Sequence, residues 1–181
     1  MKRAIILHGW EGHPGDAWFP WLKTELKKLG MKVEVPQMPN TNKPQMSEWL
    51  PHLEKVVGEP DKNLVLIGHS LANITFLRLL ERMVEGAKVG KVVMVAGFID
   101  PLGFKELESF FQSPIEWDKI RQHCDSFVAI NSDDDQYVPL KHVDIFKEKL
   151  GAKVVIEHDK RHMGPEDKTM ELPSVLEAVK E

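Results

Sequence analysis

The sequence predicts an α/β fold with a mainly parallel sheet of about six strands and helices on both faces. Two observations carry this. Short β-rich runs alternate along the chain with stretches whose apolar residues recur at helical spacing. Several of the short runs, such as Leu64–Ile67 and Val92–Val95, are continuously apolar, as strands covered on both faces are.

The elements follow in order. The predicted strands are Ala4–Leu7, Lys32–Val35, Asn63–Ile67, Lys91–Ala96, Phe127–Asn131 and Lys153–Glu157. The predicted helices are Trp18–Leu29, Ser47–Val57, Leu71–Glu85, Leu140–Leu150 and Glu171–Val179. In the first, Phe19, Leu22, Leu26 and Leu29 share one face. Gly30 and Gly151 stand where C-caps are wanted, Ser47 where an N-cap is wanted, and Pro139 where a helix can start without its N–H. The interval from Phe98 to Asp125 breaks the rhythm with Pro101, Phe104, Phe110, Phe111 and Trp117. It reads equally as a cover over a cleft or as a helical connection packed on the sheet.

Composition narrows the class. The chain has 181 residues, 42% of them hydrophobic and 29% charged, which fits one domain with its own core. A net charge of −4 gives no basic face, so nucleic acid is not an expected partner. The single cysteine, Cys124, cannot form an internal disulfide and fits a reducing compartment. The first apolar run is too short for a signal peptide, and none is long enough to span a membrane. The expectation is a cytoplasmic protein, monomer or homodimer.

The most informative stretch is Leu64-Val65-Leu66-Ile67-Gly68-His69-Ser70-Leu71-Ala72-Asn73. A strand ends in G-x-S-x-A and a helix begins just after the serine, close to the G-x-S-x-G nucleophile elbow. A serine before a helix is often only a cap. The strand, tight turn and helix together favour a nucleophile, with small residues two positions to either side. The same turn would aim the Leu71 N–H at the reacting atom.

A serine hydroxyl needs a base, and the base needs an orienting group. In this kind of fold they follow in the order Ser, Asp/Glu, His. His162, just past the last strand, is the candidate base. His52, His123 and His142 lie in helical or connecting regions, His158 ends a strand, and His69 belongs to the elbow and should point into the core. Of Asp133, Asp134 and Asp135, the last is preferred, because the Val138-Pro139 turn would hold it at a strand tip. Asp134 is the next choice. Asp133 and Asp134 otherwise read as a solvated turn. The loop His8-Gly9-Trp10 after the first strand would supply the second oxyanion donor, the Trp10 N–H. Histidine spacing at His8/His13 and His158/His162 matches no standard zinc pattern, and no phosphate-loop signature is present. No cofactor and no metal are expected.

With these residues assembled, the chain resembles the α/β-hydrolase superfamily, and within it the small serine hydrolases of the retinoblastoma-binding-protein-9-like and YdeN-like family. Carrying the resemblance are His8-Gly9-Trp10, Trp18-Phe19-Pro20-Trp21-Leu22, Met38-Pro39-Asn40, Gly68-His69-Ser70-Leu71, Glu116-Trp117-Asp118-Lys119-Ile120, the aspartate turn and the His162 loop. It implies a three-layer sandwich with strand order 2-1-3-4-5-6, minimal or no cap, and Ser70, Asp135 and His162 as nucleophile, acid and base. Two positions depart from the pattern. Ala72 replaces the second elbow glycine, and Arg161 stands where glycine usually precedes the histidine. The L-x-C-x-E motif for the retinoblastoma pocket is absent, so that partner is not implied.

The expected activity is hydrolysis of a small ester, thioester or amide through an acyl-enzyme on Ser70. Trp10, Phe98, Trp117 and Met163 are candidates for an apolar substrate pocket, and the same residues could instead fill core. The alternative is a binding protein that keeps the fold without turnover.

Overall fold

The computed structural model describes residues 1–181. Six parallel strands form one sheet: β1 (Arg3–Leu7), β2 (Lys32–Glu34), β3 (Leu64–His69), β4 (Val89–Val95), β5 (Cys124–Ser132) and β6 (Lys153–Glu157). Their order is β2-β1-β3-β4-β5-β6, as the family resemblance implies. The helices are α1 (Phe19–Lys28), α2 (Met46–Val57), α3 (Leu71–Arg82), α4 (Trp117–Gln122), α5 (Lys141–Leu150) and α6 (Pro173–Lys180). None is long and apolar enough to cross a membrane.

The apolar strands are explained by two cores, one on each face. Ile5, Leu7, Leu64, Leu66, Val92 and Met94 face a core shared with Trp49, Phe76 and Phe146 of α2, α3 and α5. Ala4, Ile6, Val65, Ile67, Val93 and Val95 face Trp18, Leu22, Leu26 and Val175, from the α1 and α6 side. With side chains alternating at period two, a strand with cores on both sides must be apolar at every position. Each fully buried Leu or Ile stabilises the fold by about 1.5–3 kcal/mol. The edges are managed by length and exposure: β2 has 3 residues, and β6 is only partly buried.

Helix boundaries depart from the sequence reading in instructive places. Ser47 is not the N-cap of α2; the helix starts one residue earlier, after Gln45. The Met46 N–H is instead accepted by Ser109 Oγ at 3.1 Å, a distant hydroxyl doing the work of a local cap. The last helix begins at Pro173, because Leu172 before the proline is extended. Gly151 does end α5 in the left-handed region, at φ 65°.

The Phe98–Asp125 interval does both things the sequence allowed. It contains a single 3₁₀ helix, Lys105–Phe110, and then α4. Phe98, Leu102, Phe104 and Leu107 reach a cleft at the carboxyl edge of the sheet. Phe110 and Ile120 pack into the core beneath. Buried Arg78 of α3 pins the turn between these halves. Its guanidinium donates to the carbonyls of Phe110, Ser113 and Pro114 and pairs with Glu81 at 2.9 Å.

Candidate active site

Strands β3, β5 and β6 all end on one edge, where the open ends of parallel sheets gather functional groups. Ser70 leaves β3 with φ 56° and ψ −121°, a strained conformation for a residue with a side chain. Its N–H donates to Val95 O of the neighbouring strand, and buried Asn73 donates Nδ2–H to both Ser70 O and Val95 O. The small neighbours have measurable reasons. A Cβ on Gly68 would lie 2.5 Å from Asn73 Oδ1 and 2.9 Å from the Phe76 ring. A Cβ on Gly9 would lie 2.9 Å from Ser70 Cβ, so only glycine lets the first loop approach the serine. Ala72 is fully buried on α3 and its methyl is accommodated.

The three residues named from the sequence come together. His162 Nε2 lies 3.0 Å from Ser70 Oγ, and His162 Nδ1 lies 2.8 Å from Asp135 Oδ2. The Asp135 side chain is fully buried, and its other oxygen accepts the N–H groups of Tyr137 and Val138 at 2.8 and 2.9 Å. Both carboxylate oxygens are therefore engaged. The Nδ1–H of His162 donates to Asp135, leaving Nε2 free to accept from Ser70.

The loop that carries His162 is strained. Asp159, Arg161 and Met163 have φ of 56°, 51° and 56°. Arg161 thus occupies a left-handed position, which explains why glycine suits it. The strain is offset by a ladder of hydrogen bonds from the tip of β5. Asp133 Oδ1 accepts Asp159 N–H at 3.2 Å, Ser132 Oγ accepts Lys160 N–H at 3.1 Å, and Asp134 Oδ1 accepts Arg161 N–H at 2.7 Å. Asp133 also meets His158 Nδ1 at 2.5 Å. Asp133 and Asp134 do form an exposed turn, as the sequence allowed, but their carboxylates are also engaged by the next loop. They hold the loop whose histidine Asp135 contacts, and these contacts lower the pKa of both carboxyls, chiefly through His158 and Ser132 respectively.

Two further side chains grip the loop from below. His69 lies 2.8 Å from the His162 carbonyl, and a carbonyl can only accept, so His69 Nε2 carries the proton. Burial pushes the His69 imidazole down to about 3, with the nearby His162 adding to the effect, so it stays neutral. Trp18 Nε1–H donates to Met163 O at 3.1 Å. His8 does the corresponding task for the first loop. Its Nδ1–H donates to Gly9 O and its Nε2 accepts Met38 N–H at 3.1 Å, while burial lowers its pKa.

A cleft of about 450 Å³ opens above Ser70. Trp10 and Phe98 line it, as the sequence reading proposed. Met163 and Trp117 do not. The left-handed turn at Met163 sends its side chain into the core on the α1 and α6 face, where it is 0% exposed. Trp117 opens α4 and lines a separate shallow depression with Ile99, Phe111 and Pro114. Leu102, Phe104, Leu107 and Tyr137 line the cleft unannounced. The aromatic density of the interval signals Phe104 but cannot tell which of its rings turn outward. No three His, Cys, Asp or Glu side chains gather as a metal-binding set.

Comparison with known proteins agrees with this architecture. A family model described as serine hydrolase matches residues 4–181. The chain is 28% identical over 179 residues to the hydrolase YdeN of Bacillus subtilis (strain 168), covering 98% of this chain and 94% of the relative. It is 27% identical over 167 residues to the serine hydrolase RBBP9 of Rattus norvegicus, covering 88% of this chain and 86% of the relative. The crystal structure of the B. subtilis ydeN gene product superposes with a TM-score of 0.95 over 99% of this chain and 97% of that one. Est1E from Butyrivibrio proteoclasticus, at 14% identity and a TM-score of 0.74 over 100% of this chain and 90% of that one, shares the fold. With a match running almost end to end, this chain belongs to the serine hydrolase family.

Proposed function

We propose that the protein is a carboxylesterase-like serine hydrolase working through Ser70, His162 and Asp135, and that it cleaves a small ester, thioester or amide. The observation that supports this most is the continuous pair of contacts, 2.8 Å and 3.0 Å, from Asp135 through His162 to Ser70. In this reading Ser70 Oγ attacks the carbonyl carbon while its proton passes to His162 Nε2. Asp135 holds the tautomer and stabilises the imidazolium that results. The tetrahedral intermediate collapses as His162 returns the proton to the leaving group, giving an acyl-enzyme. Water, activated by the same imidazole, then releases the acid and frees Ser70.

The oxyanion would be held by the N–H groups of Trp10 and Leu71. Leu71 is the first residue of α3, so its N–H has no acceptor within the helix. The Trp10 N–H is not taken by any main-chain or side-chain acceptor. Both loops converge on Ser70, since the Gly9 Cβ position lies 3.4 Å from Ser70 Oγ. The partial positive end of α3 favours the negative charge developing there.

The cytoplasmic setting belongs to the same proposal. Its support is the single cysteine, Cys124, which is free and fits a reducing compartment.

A fluorophosphonate probe tests the reading. Native protein should be labelled on Ser70, and Ser70→Ala and His162→Ala should not be. Absence of labelling on folded native protein would overturn the hydrolase mechanism and favour a binding role.

A further inference from the structure

The cleft above Ser70 is chemically divided, and the division has a direction. Its apolar wall is Leu71, Phe98, Leu102, Phe104 and Leu107, all packed on the core of the α2 and α3 face. Trp10 joins this wall, its ring edge-on to Phe104 with centroids 5.5 Å apart. The opposite end follows His162 in sequence, and its loop packs through Met163 on the other face of the sheet. There the lining is Tyr137, Glu166 and Asp167; the loop after β1 and the start of α1 add Glu11, Asp16 and the ring of Phe19 to the cleft wall.

Charge sharpens the contrast. Four carboxylates line the cleft, and no lysine or arginine does. Asp16 and Asp167 are engaged by the N–H groups of His13 and Gly164, and Asp167 faces Arg161 at 3.5 Å. The Glu11 and Glu166 side chains are exposed and make no hydrogen bond or ion pair within the protein. An exposed aromatic shares the lining: Tyr137 is 42% exposed and set edge-on to His162, centroids 5.1 Å apart. Aromatic rings together with carboxylates are the chemistry that receives an organic cation.

The proton given up by His162 goes to the leaving group, so the leaving group lies at the His162 end. Resting on the hydrolase reading above, we infer that the substrate is an ester or amide with an apolar acyl group and a cationic leaving group, an amine or quaternary ammonium alcohol. The acyl group lies along Phe98, Leu102, Phe104 and Leu107. The cation lies at the Tyr137 and Glu166 end, in the negative field to which Glu11 also contributes. Polyanionic acyl carriers are disfavoured by the same field.

Three hexanoate esters of matched shape test this: the choline ester, its uncharged 3,3-dimethylbutyl counterpart, and an ester ending in a carboxylate. At low salt kcat/KM should fall by roughly tenfold or more from cation to neutral and again to anion, and the spread should shrink in high salt. The double charge reversal Glu11→Lys/Glu166→Lys should invert the order of the charged pair. Equal rates for all three, or a preference for the anion, would overturn the inference while leaving the hydrolase reading intact. Phosphonate labelling of Ser70 with turnover of none of the three esters would overturn it as well. Loss of both labelling and turnover in folded native protein would overturn the hydrolase reading first.

Discussion

His69, the residue immediately before Ser70, donates its Nε2–H to the main-chain carbonyl of His162 at 2.8 Å. The elbow and the histidine loop are thus locked to each other directly, through a neutral imidazole buried between them. The Ser70–His162 distance, on which the proposed proton transfer depends, is set partly by this bond. Its rings lie 4.9 Å apart, close enough that any shift of one moves the other.

His69→Ala should therefore lower kcat by about 10²-fold, because a displacement of about 1 Å at a reacting group costs that much. His69→Gln keeps a donor and should recover part of the loss. The check is kcat and KM for each variant beside its melting curve. A kcat unchanged in a folded His69→Ala would show that the loop holds itself.

The three aspartates should separate by effect. Asp135→Asn, which favours the wrong histidine tautomer, should cost about 10⁴-fold in kcat. Asp133→Asn and Asp134→Asn should weaken activity far less, through the loop. Both carboxyls are held below their ordinary range. A depressed carboxyl stabilises the fold above its unfolded pKa, and that contribution is lost as pH falls through the folded value. His158, held above its ordinary value mainly by Asp133, contributes below its unfolded pKa and loses that contribution as pH rises through its folded one. The Asp133–His158 contact should thus matter between Asp133's lowered pKa and His158's raised one. Melting temperature against pH, for native protein and Asp133→Asn, reads the difference.

Arg161→Gly should stabilise the protein. A left-handed residue with a side chain costs about 1–2 kcal/mol, and the greater freedom of glycine in the unfolded chain returns about half of that. The Arg161 side chain is 61% exposed and 3.5 Å from Asp167, whose side chain is only 6% exposed and would keep the Gly164 N–H as a partner, so its loss takes back part of the gain. Urea denaturation should show a gain of up to about 1 kcal/mol.

Arg78→Ala should destabilise the fold by about 3–5 kcal/mol, since it strands Glu81 and three carbonyls around a buried charge. The wall built by Phe98 to Leu107 should loosen as well. KM for apolar esters should then rise more than kcat falls, which steady-state kinetics against acyl length would show.

Much of this was legible in the sequence, for physical reasons. Strands such as Leu64–Ile67 announce themselves because both faces need apolar side chains. Ser70, Asp135 and His162 are legible because each follows a strand, and parallel strands bring their carboxyl ends to one edge. The pocket was harder. Trp117 and Met163 are large and apolar, like Phe98, and only the backbone decides which way such a side chain turns. The left-handed φ at Met163 reverses its direction, and nothing about methionine foretells it. The work of Asp133 and Asp134 was hidden for another reason. Their partners are main-chain N–H groups, which every sequence has everywhere.

The sheet contains only parallel pairings, so no strand pairs with its neighbour through a hairpin. Ser70 leaves the third strand, while Asp135 and His162 follow the fifth and sixth. During synthesis Ser70 is therefore made long before His162, the base of the proposed mechanism. A chain stopped anywhere short of residue 162 carries an elbow without its His162 partner. Non-local pairing also makes such sheets slow to assemble. On the proposed mechanism the Ser70 hydroxyl stays inert through that interval, an incomplete or misfolded copy has no activated serine to acylate, and phosphonate reactivity would report the moment the last strand docks.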